Sequence, residues 1–198
     1  PPGKSAPSVR SVADESLDGT LDDVRLYDGP LTADEIAQLA AEGGPVGSAY
    51  CFGDGSGTPC PCGNPGAAGE GCANSTGSGA TLAAGGSASV FADDLIFDAA
   101  GLVPTQPALL FSGLNAVNGG AGVVFGDGLR CAGGSVKRLG VQNAGSTGGA
   151  TWGPGLAPNG GWVAGDTRRF QVWYRDPNAS PCGSNFNLSH GVEVTFTP

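Results

Sequence analysis

The sequence has no methionine, one histidine and nine Lys and Arg residues in 198, and only 14% of it is charged. Each scarcity excludes something. Nine bases against eighteen acids give a net charge of −9. No basic footprint is present to displace counterions from a phosphate backbone, so nucleic acid is excluded as a partner. No apolar run approaches the roughly 18 residues of a membrane helix, so membrane insertion is not expected. With one histidine and no nucleophile-elbow motif, a Ser-His-Asp site lacks its parts. Disorder combines low hydrophobicity with high charge, and this chain is 39% hydrophobic. No period of about 20–50 residues recurs, which excludes a solenoid.

Glycine (37) and proline (15) are abundant, together about 26% of the chain, where low-complexity composition begins. Combined with short apolar runs at regular spacing, they read as a β-rich fold with many tight turns, since glycine supplies the positive φ that turns require. Strands are expected at 20–28, 80–84, 87–92, 94–99, 108–112, 122–125, 135–142, 168–175 and 191–197. Gly85-Gly86 should close the 80–84 and 87–92 pair as a two-residue hairpin. Alternation should turn Phe170, Val172, Tyr174, Val192, Val194 and Phe196 toward the core. The expected fold class is all-β: a disulfide-stapled β-sandwich or jelly-roll-like domain over 48–198, preceded by a strand and one short helix.

That preceding part differs in charge. Residues 1–47 hold nine acids and three bases, whereas 48–198 hold nine and six. "TLDDVRLYD" (20–28) reads as a strand. A Thr32–Glu35 capping box opens a helix over about 33–42, which Gly43-Gly44 and Pro45 close. Residues 43–49 read as a linker. Pro1 begins with neither Met nor an apolar leader, so the chain is expected to be a mature or trimmed fragment.

Six cysteines point to a secreted, disulfide-bonded protein at the cell surface or outside the cell. Cys51, Cys60, Cys62 and Cys72 lack the C-x2–4-C pairs of a structural zinc site, so no metal is expected there. Cys60 and Cys62 are too close in sequence to bond with each other. The local four then pair as 51–60 with 62–72, or as 51–62 with 60–72, leaving Cys131–Cys182 as the favoured long bond.

His190, in "NLSHGVE", is expected as a surface turn histidine rather than a catalytic one. Asp54, Asp93, Asp94 and Asp127 stand in DG or DD contexts whose usual role is to bond the local backbone. A glycosidase needs two carboxylates flanking the cleaved bond, and none are evident; the expectation is no enzyme. Carbonyl-rich turns at "GDGSG" and "FGDG" admit calcium, without named ligands, and no other cofactor is expected. Asn74, Asn178 and Asn187 begin N-x-[ST] sequons, of which Asn74 and Asn187 are the glycosylation candidates; Pro181 weakens the one at Asn178. On the 168–175 strand, the face opposite the core carries Arg169, Gln171, Trp173 and Arg175. Arg169, Trp173 and Arg175 could meet a glycan or a protein, or form a ladder with Glu193 and Thr195 of the last strand.

"LDGTLDDVRLYDGPLTADEIAQLA" (17–40) resembles the C-terminal signature of laminin-G-like (concanavalin A-like) jelly rolls, a strand followed by L-[ST]-x-x-E-I and a short helix. Most of such a domain has no counterpart here. The family's sugar- and calcium-binding loops lie mostly in that missing part, so no binding residue carries over. The remainder, marked by "YCFGDGSGTPCPCGN", "GEGCANSTGSGA", "FGDGLRCAGGSVKRLG", "FQVWYRDP" and "FNLSHGVEVTFTP", resembles an uncharacterised C-terminal module of planctomycete-type secreted and surface proteins. That resemblance implies location and a β fold, and no chemistry. A strand without its sheet needs another edge. The expectation is a non-catalytic extracellular structural or adhesive subunit, self-assembling into a filament or matrix. Leu21, Val24, Leu26 and Tyr27 would join it to a copy of itself or to another β domain. The alternative is a carbohydrate-binding accessory module with a glycan as partner.

Overall fold

The computed structural model describes residues 29–32 and 46–198; the expected strand at 20–28 and helix at 33–42 lie outside them. The chain divides into two units, Pro1–Ala41 and Glu42–Pro198, and the second carries the architecture that follows.

The fold is all-β and disulfide-stapled. Strands β1 (Ser48–Tyr50), β4 (Pro107–Gly113), β9 (Lys137–Asn143), β11 (Thr167–Arg175), β12 (Phe186–Leu188) and β13 (Gly191–Thr195) form a six-stranded antiparallel sheet. Its order is β1-β13-β11-β4-β9, with β12 paired to β11 off that path. A second sheet, β10-β3-β2, is built from β2 (Thr81–Gly85), β3 (Ile96–Ala100) and β10 (Ala150–Trp152). Two ribbons complete the domain: β5 (Asn115–Ala116) with β8 (Ala132–Gly133), and β6 (Val123–Phe125) with β7 (Gly128–Arg130). Among the described residues, one helical turn, α1, spans Ala157–Gly160, and a 3-10 turn spans Val117–Gly120.

The two large sheets pack face to face because their inner positions are apolar at period two. Phe170, Val172 and Tyr174 of β11 and Val192 and Val194 of β13 meet Leu82, Phe97 and Ala99 of the smaller sheet. Phe97 and Phe170 have ring centroids 4.4 Å apart. Trp162 stacks on Phe196 at 4.6 Å and meets Phe170 edge-on. Offset and edge-to-face pairs of this kind add to the area they bury.

Four expectations fail here. Gly85-Gly86 is not a hairpin turn, and 87–92 is not a strand. β2 pairs instead with β3, Gly85 opposite Ile96, across a ten-residue loop from Gly86 to Leu95. Asp94 closes that loop, accepting both the N–H and the hydroxyl of Ser87. Ser48 and Ala49, read as the end of a linker, belong to β1 (Ser48–Tyr50), which pairs with Gly191–Glu193. His190 is buried rather than a surface turn residue.

The disulfides differ most. They are Cys51–Cys131, Cys60–Cys72 and Cys62–Cys182, so the favoured Cys131–Cys182 bond is not made. Of the local pairings only 60–72 forms, and Cys51 and Cys62 each reach far along the chain. Loop-closure entropy rises only logarithmically with length, so proximity in sequence does not decide the partner. Three such bonds form and persist in an oxidising compartment.

Candidate functional site

The outward face of the large sheet is not open. The two ribbons fold over part of it, and one side chain holds that cover in place. Gln171, fully buried on β11, accepts the N–H groups of Cys131 (2.9 Å) and Ala132 (3.4 Å) through Oε1. Through Nε2 it donates to Leu129 O (2.8 Å) and Ser189 O (2.7 Å). The amide thus ties the β7–β8 segment and the β12–β13 turn to the sheet, with both its oxygen and its nitrogen engaged. Cys51–Cys131 pins the same segment covalently.

The β6–β7 ribbon turns on Gly126-Asp127, with Phe125 opposite Gly128. Gly126 has φ +63°, and a Cβ there would collide with the Phe186 ring, so conformation and space both require glycine. Asp127 is buried and accepts the N–H groups of Cys182 and Ser184, each at 3.0 Å. Burial opposes its charge, but those N–H groups and the Ser180 and Ser184 hydroxyls outweigh it and hold the carboxyl below the usual range. The tip of the ribbon is thereby fastened to the 180–184 loop, beside Cys62–Cys182. Phe125 then lies 5.1 Å from Phe186, and Phe186 lies 5.6 Å from Trp173.

Between ribbon and sheet lies a groove of roughly 350 Å³, lined by Leu109, Phe111, Phe125, Arg130, Val136, Arg138, Trp173 and Leu188. Register explains its floor. Val141, Leu109, Trp173 and Leu188 stand opposite one another across β9, β4, β11 and β12. The next row runs Arg138, Phe111, Gln171. The floor is therefore aromatic and aliphatic, and two guanidinium groups edge it, a composition typical of small-ligand sites.

The charges sort unevenly. From residue 46 onward every acid is tied to a donor. Asp54, Glu70, Asp93, Asp127 and Asp176 each accept backbone N–H groups. Asp94 and Asp98 hold hydroxyls, while Asp166 and Glu193 pair with Arg168 and Arg169. Asp54, held mainly by the Ser56 hydroxyl and then by the Gly69 and Ser56 N–H groups, is brought down to about 2. Four of the six bases, Arg130, Lys137, Arg138 and Arg175, have no carboxylate partner among the described residues. Two of those four edge the groove.

Of the stripe expected on β11, only Trp173 reaches this groove. Arg169 is committed to Glu193 and to Leu114 O, Gln171 is buried, and Arg175 is exposed outside the lining. The glycosylation candidates are corrected. Asn74 is buried, its Nδ2 donating to Gly101 O and Tyr174 Oη. Asn187 is also buried, its Nδ2 donating to Cys72 O and Ala73 O. Neither amide is presented to solvent in the folded chain. At "GDGSG" and "FGDG" the carboxylates face N–H and hydroxyl donors. Among the described residues, no three His, Cys, Asp or Glu side chains are grouped as a metal ion would need. Phe111, Phe125, Arg130 and Arg138 escape sequence reasoning, because only the fold over β11 brings them to Trp173.

His190 belongs to the core. Its Nε2 accepts the Leu82 N–H at 3.0 Å, and Nδ1 lies 3.0 Å from Gly191 O, which selects the neutral Nδ1–H tautomer. Burial lowers its pKa below the ordinary 6.5, against a smaller opposing effect of the Gly191 carbonyl. The unfolded chain therefore binds this proton first, and stability from the neutral ring is lost as pH falls below about 6.5. Urea midpoints at pH 7.5, 6 and 5 should decline, and His190→Gln should flatten that decline; equal slopes in both proteins would contradict the assignment.

The fold and the groove define a class: an all-β, disulfide-stapled sandwich with a cationic, aromatic groove on its covered face. Comparison with family models, with curated proteins and with solved structures found no match to this chain.

Proposed function

We propose that the chain is a non-catalytic extracellular structural or adhesive module that joins copies of itself through its N-terminal segment. The observation that carries this reading is β6. Val123, Val124 and Phe125 are all exposed, at 43%, 53% and 43%, on a strand whose second edge has no strand partner among the described residues. Proteins normally blunt such edges with bulges and charge. β9, at the border of the large sheet, is blunted in this way: it carries Lys137 and Arg138, a bulge opposite Leu110/Phe111, and a carbonyl, Gly140 O, that accepts the Trp152 indole N–H. β6 carries no charge. The segment 17–28 of another copy suits it, with Leu21, Val24, Leu26 and Tyr27 to supply an apolar strand. Repeated head to tail, the join makes a filament.

The test compares the intact chain with residues 46–198 by size-exclusion chromatography and electron microscopy. The intact chain should assemble and the shorter one remain monomeric. Val124→Lys should abolish assembly while changing stability by less than about 0.5 kcal/mol, as an exposed site allows. A monomeric intact chain would overturn the proposal. A second reading, a carbohydrate-binding accessory module, is favoured by the groove under Trp173.

A further inference from the structure

We infer that the Trp173 groove takes a sugar that bears a carboxylate, as in a uronic-acid polysaccharide. This inference rests on the carbohydrate-binding reading and adds the charge of the ligand.

The floor determines what cannot bind. β4 lies between β11 and β9, and β11 lies between β4 and the β12 and β13 pair. The backbone groups of β4 and β11, at the centre of the floor, are therefore spent in ladders. An extended peptide that binds by strand addition draws its affinity from main-chain hydrogen bonds, and the centre of the floor offers none. It offers faces instead: the Trp173 and Phe125 rings with Leu109 and Val136, over buried Phe111 and Leu188. A pyranose ring presents a flat array of C–H groups that covers such a surface. Trp173 suits the role, half-buried against Phe186, while Trp152 and Trp162 are buried at 2% and 4% exposure.

The rim determines the charge. Arg130 and Arg138 line the groove, and no acid does. Arg130 is oriented by its Nε–H bond to Ala132 O, leaving its terminal nitrogens directed elsewhere. Arg138 has no hydrogen-bond or carboxylate partner among the described residues. In a protein of net charge −9, two unneutralised guanidiniums beside a hydrophobic floor are a local reversal of sign that attracts anions. The planar guanidinium matches a carboxylate through two parallel N–H bonds, which an ammonium cannot do.

The experiment titrates the intact chain with polygalacturonate, with dextran and with polyglutamate, following tryptophan fluorescence and mobility in affinity gels. Polygalacturonate should bind and shift the Trp emission. Arg138→Gln and Arg130→Gln should each weaken it at least tenfold with the melting temperature unchanged, and Phe91→Ser, in the β2–β3 loop, should have no effect. Dextran should bind at least tenfold more weakly, as should polyglutamate. Trp173→Ala should abolish binding, and the two arginine variants keep the test decisive if that protein fails to fold. Equal binding of dextran with no loss in the arginine variants would overturn the acidic ligand and leave the carbohydrate reading standing. Equal binding of polyglutamate would overturn the sugar in favour of an acidic peptide. No binding of either polysaccharide would overturn both the inference and the reading beneath it.

Discussion

The variant Cys62→Ser with Cys182→Ser is expected to lose about 5 kcal/mol of stability by loop-closure entropy, the largest loss among the three disulfides. The bond spans 120 residues, against 80 for Cys51–Cys131 and 12 for Cys60–Cys72. The same relation gives about 4.5 kcal/mol for Cys51–Cys131 and about 3 kcal/mol for Cys60–Cys72. For a domain of this size the first loss corresponds to a fall of about 10–20 °C in melting temperature, a large share of the roughly 5–15 kcal/mol that holds a domain together. Exposure reinforces the ranking in a kinetic sense. Cys62 is exposed, whereas Cys51, Cys72 and Cys131 are buried, so graded reduction followed by alkylation and mass spectrometry should open Cys62–Cys182 first. A greater loss from removing Cys60–Cys72 than from removing Cys62–Cys182 would show that local packing, rather than chain constraint, sets the stability.

The second large effect is expected at Gln171. Gln171→Ala leaves the N–H groups of Cys131 and Ala132 and the carbonyls of Leu129 and Ser189 without their partner, in a region closed to solvent. A buried polar group left unpaired costs about 1–3 kcal/mol. Some relaxation is inevitable, so a total loss of about 4 kcal/mol is the expected result in urea unfolding. The variant should also loosen the cover of the sheet, visible as a red-shifted Trp173 emission and faster amide exchange in β7 and β8, ahead of global unfolding. A loss below about 1 kcal/mol, with unchanged emission, would show that the ribbons hold their place without this amide. The distinction matters for the groove, because its Phe125 and Arg130 belong to the ribbon that Gln171 and Asp127 fasten.

The particular elements show what was legible before the structure. Strands with strict alternation could be read directly: β11 and β13 place Phe170, Val172, Tyr174, Val192 and Val194 in the core, because period two commits a strand to one buried face. The all-β class followed from glycine-rich turns for the same local reason. Short strands such as β7, β8 and β12 carry two or three residues each, too few for any periodicity, and what fixes the ribbon against the sheet is a distant contact, Cys131 with Gln171. Gln171 itself looked like an outward polar residue; nothing nearby in the sequence says that a ribbon will cover it. The disulfides went astray through the same preference for neighbours. The groove was half visible: Trp173 stood on the non-core face, but Arg138 and Phe111 join it only through the β4–β9 and β4–β11 registers.

The proposed assembly rests on the edge of β6 that has no strand partner among the described residues. Hydrogen exchange of the intact chain, measured dilute and concentrated, tests it directly. Assembly through β6 predicts that the amides of Val123, Val124 and Phe125 become protected as concentration rises, while those of the β2–β3 loop do not change. Exchange at β6 that stays fast and independent of concentration, in material shown by sedimentation to be assembled, would contradict it.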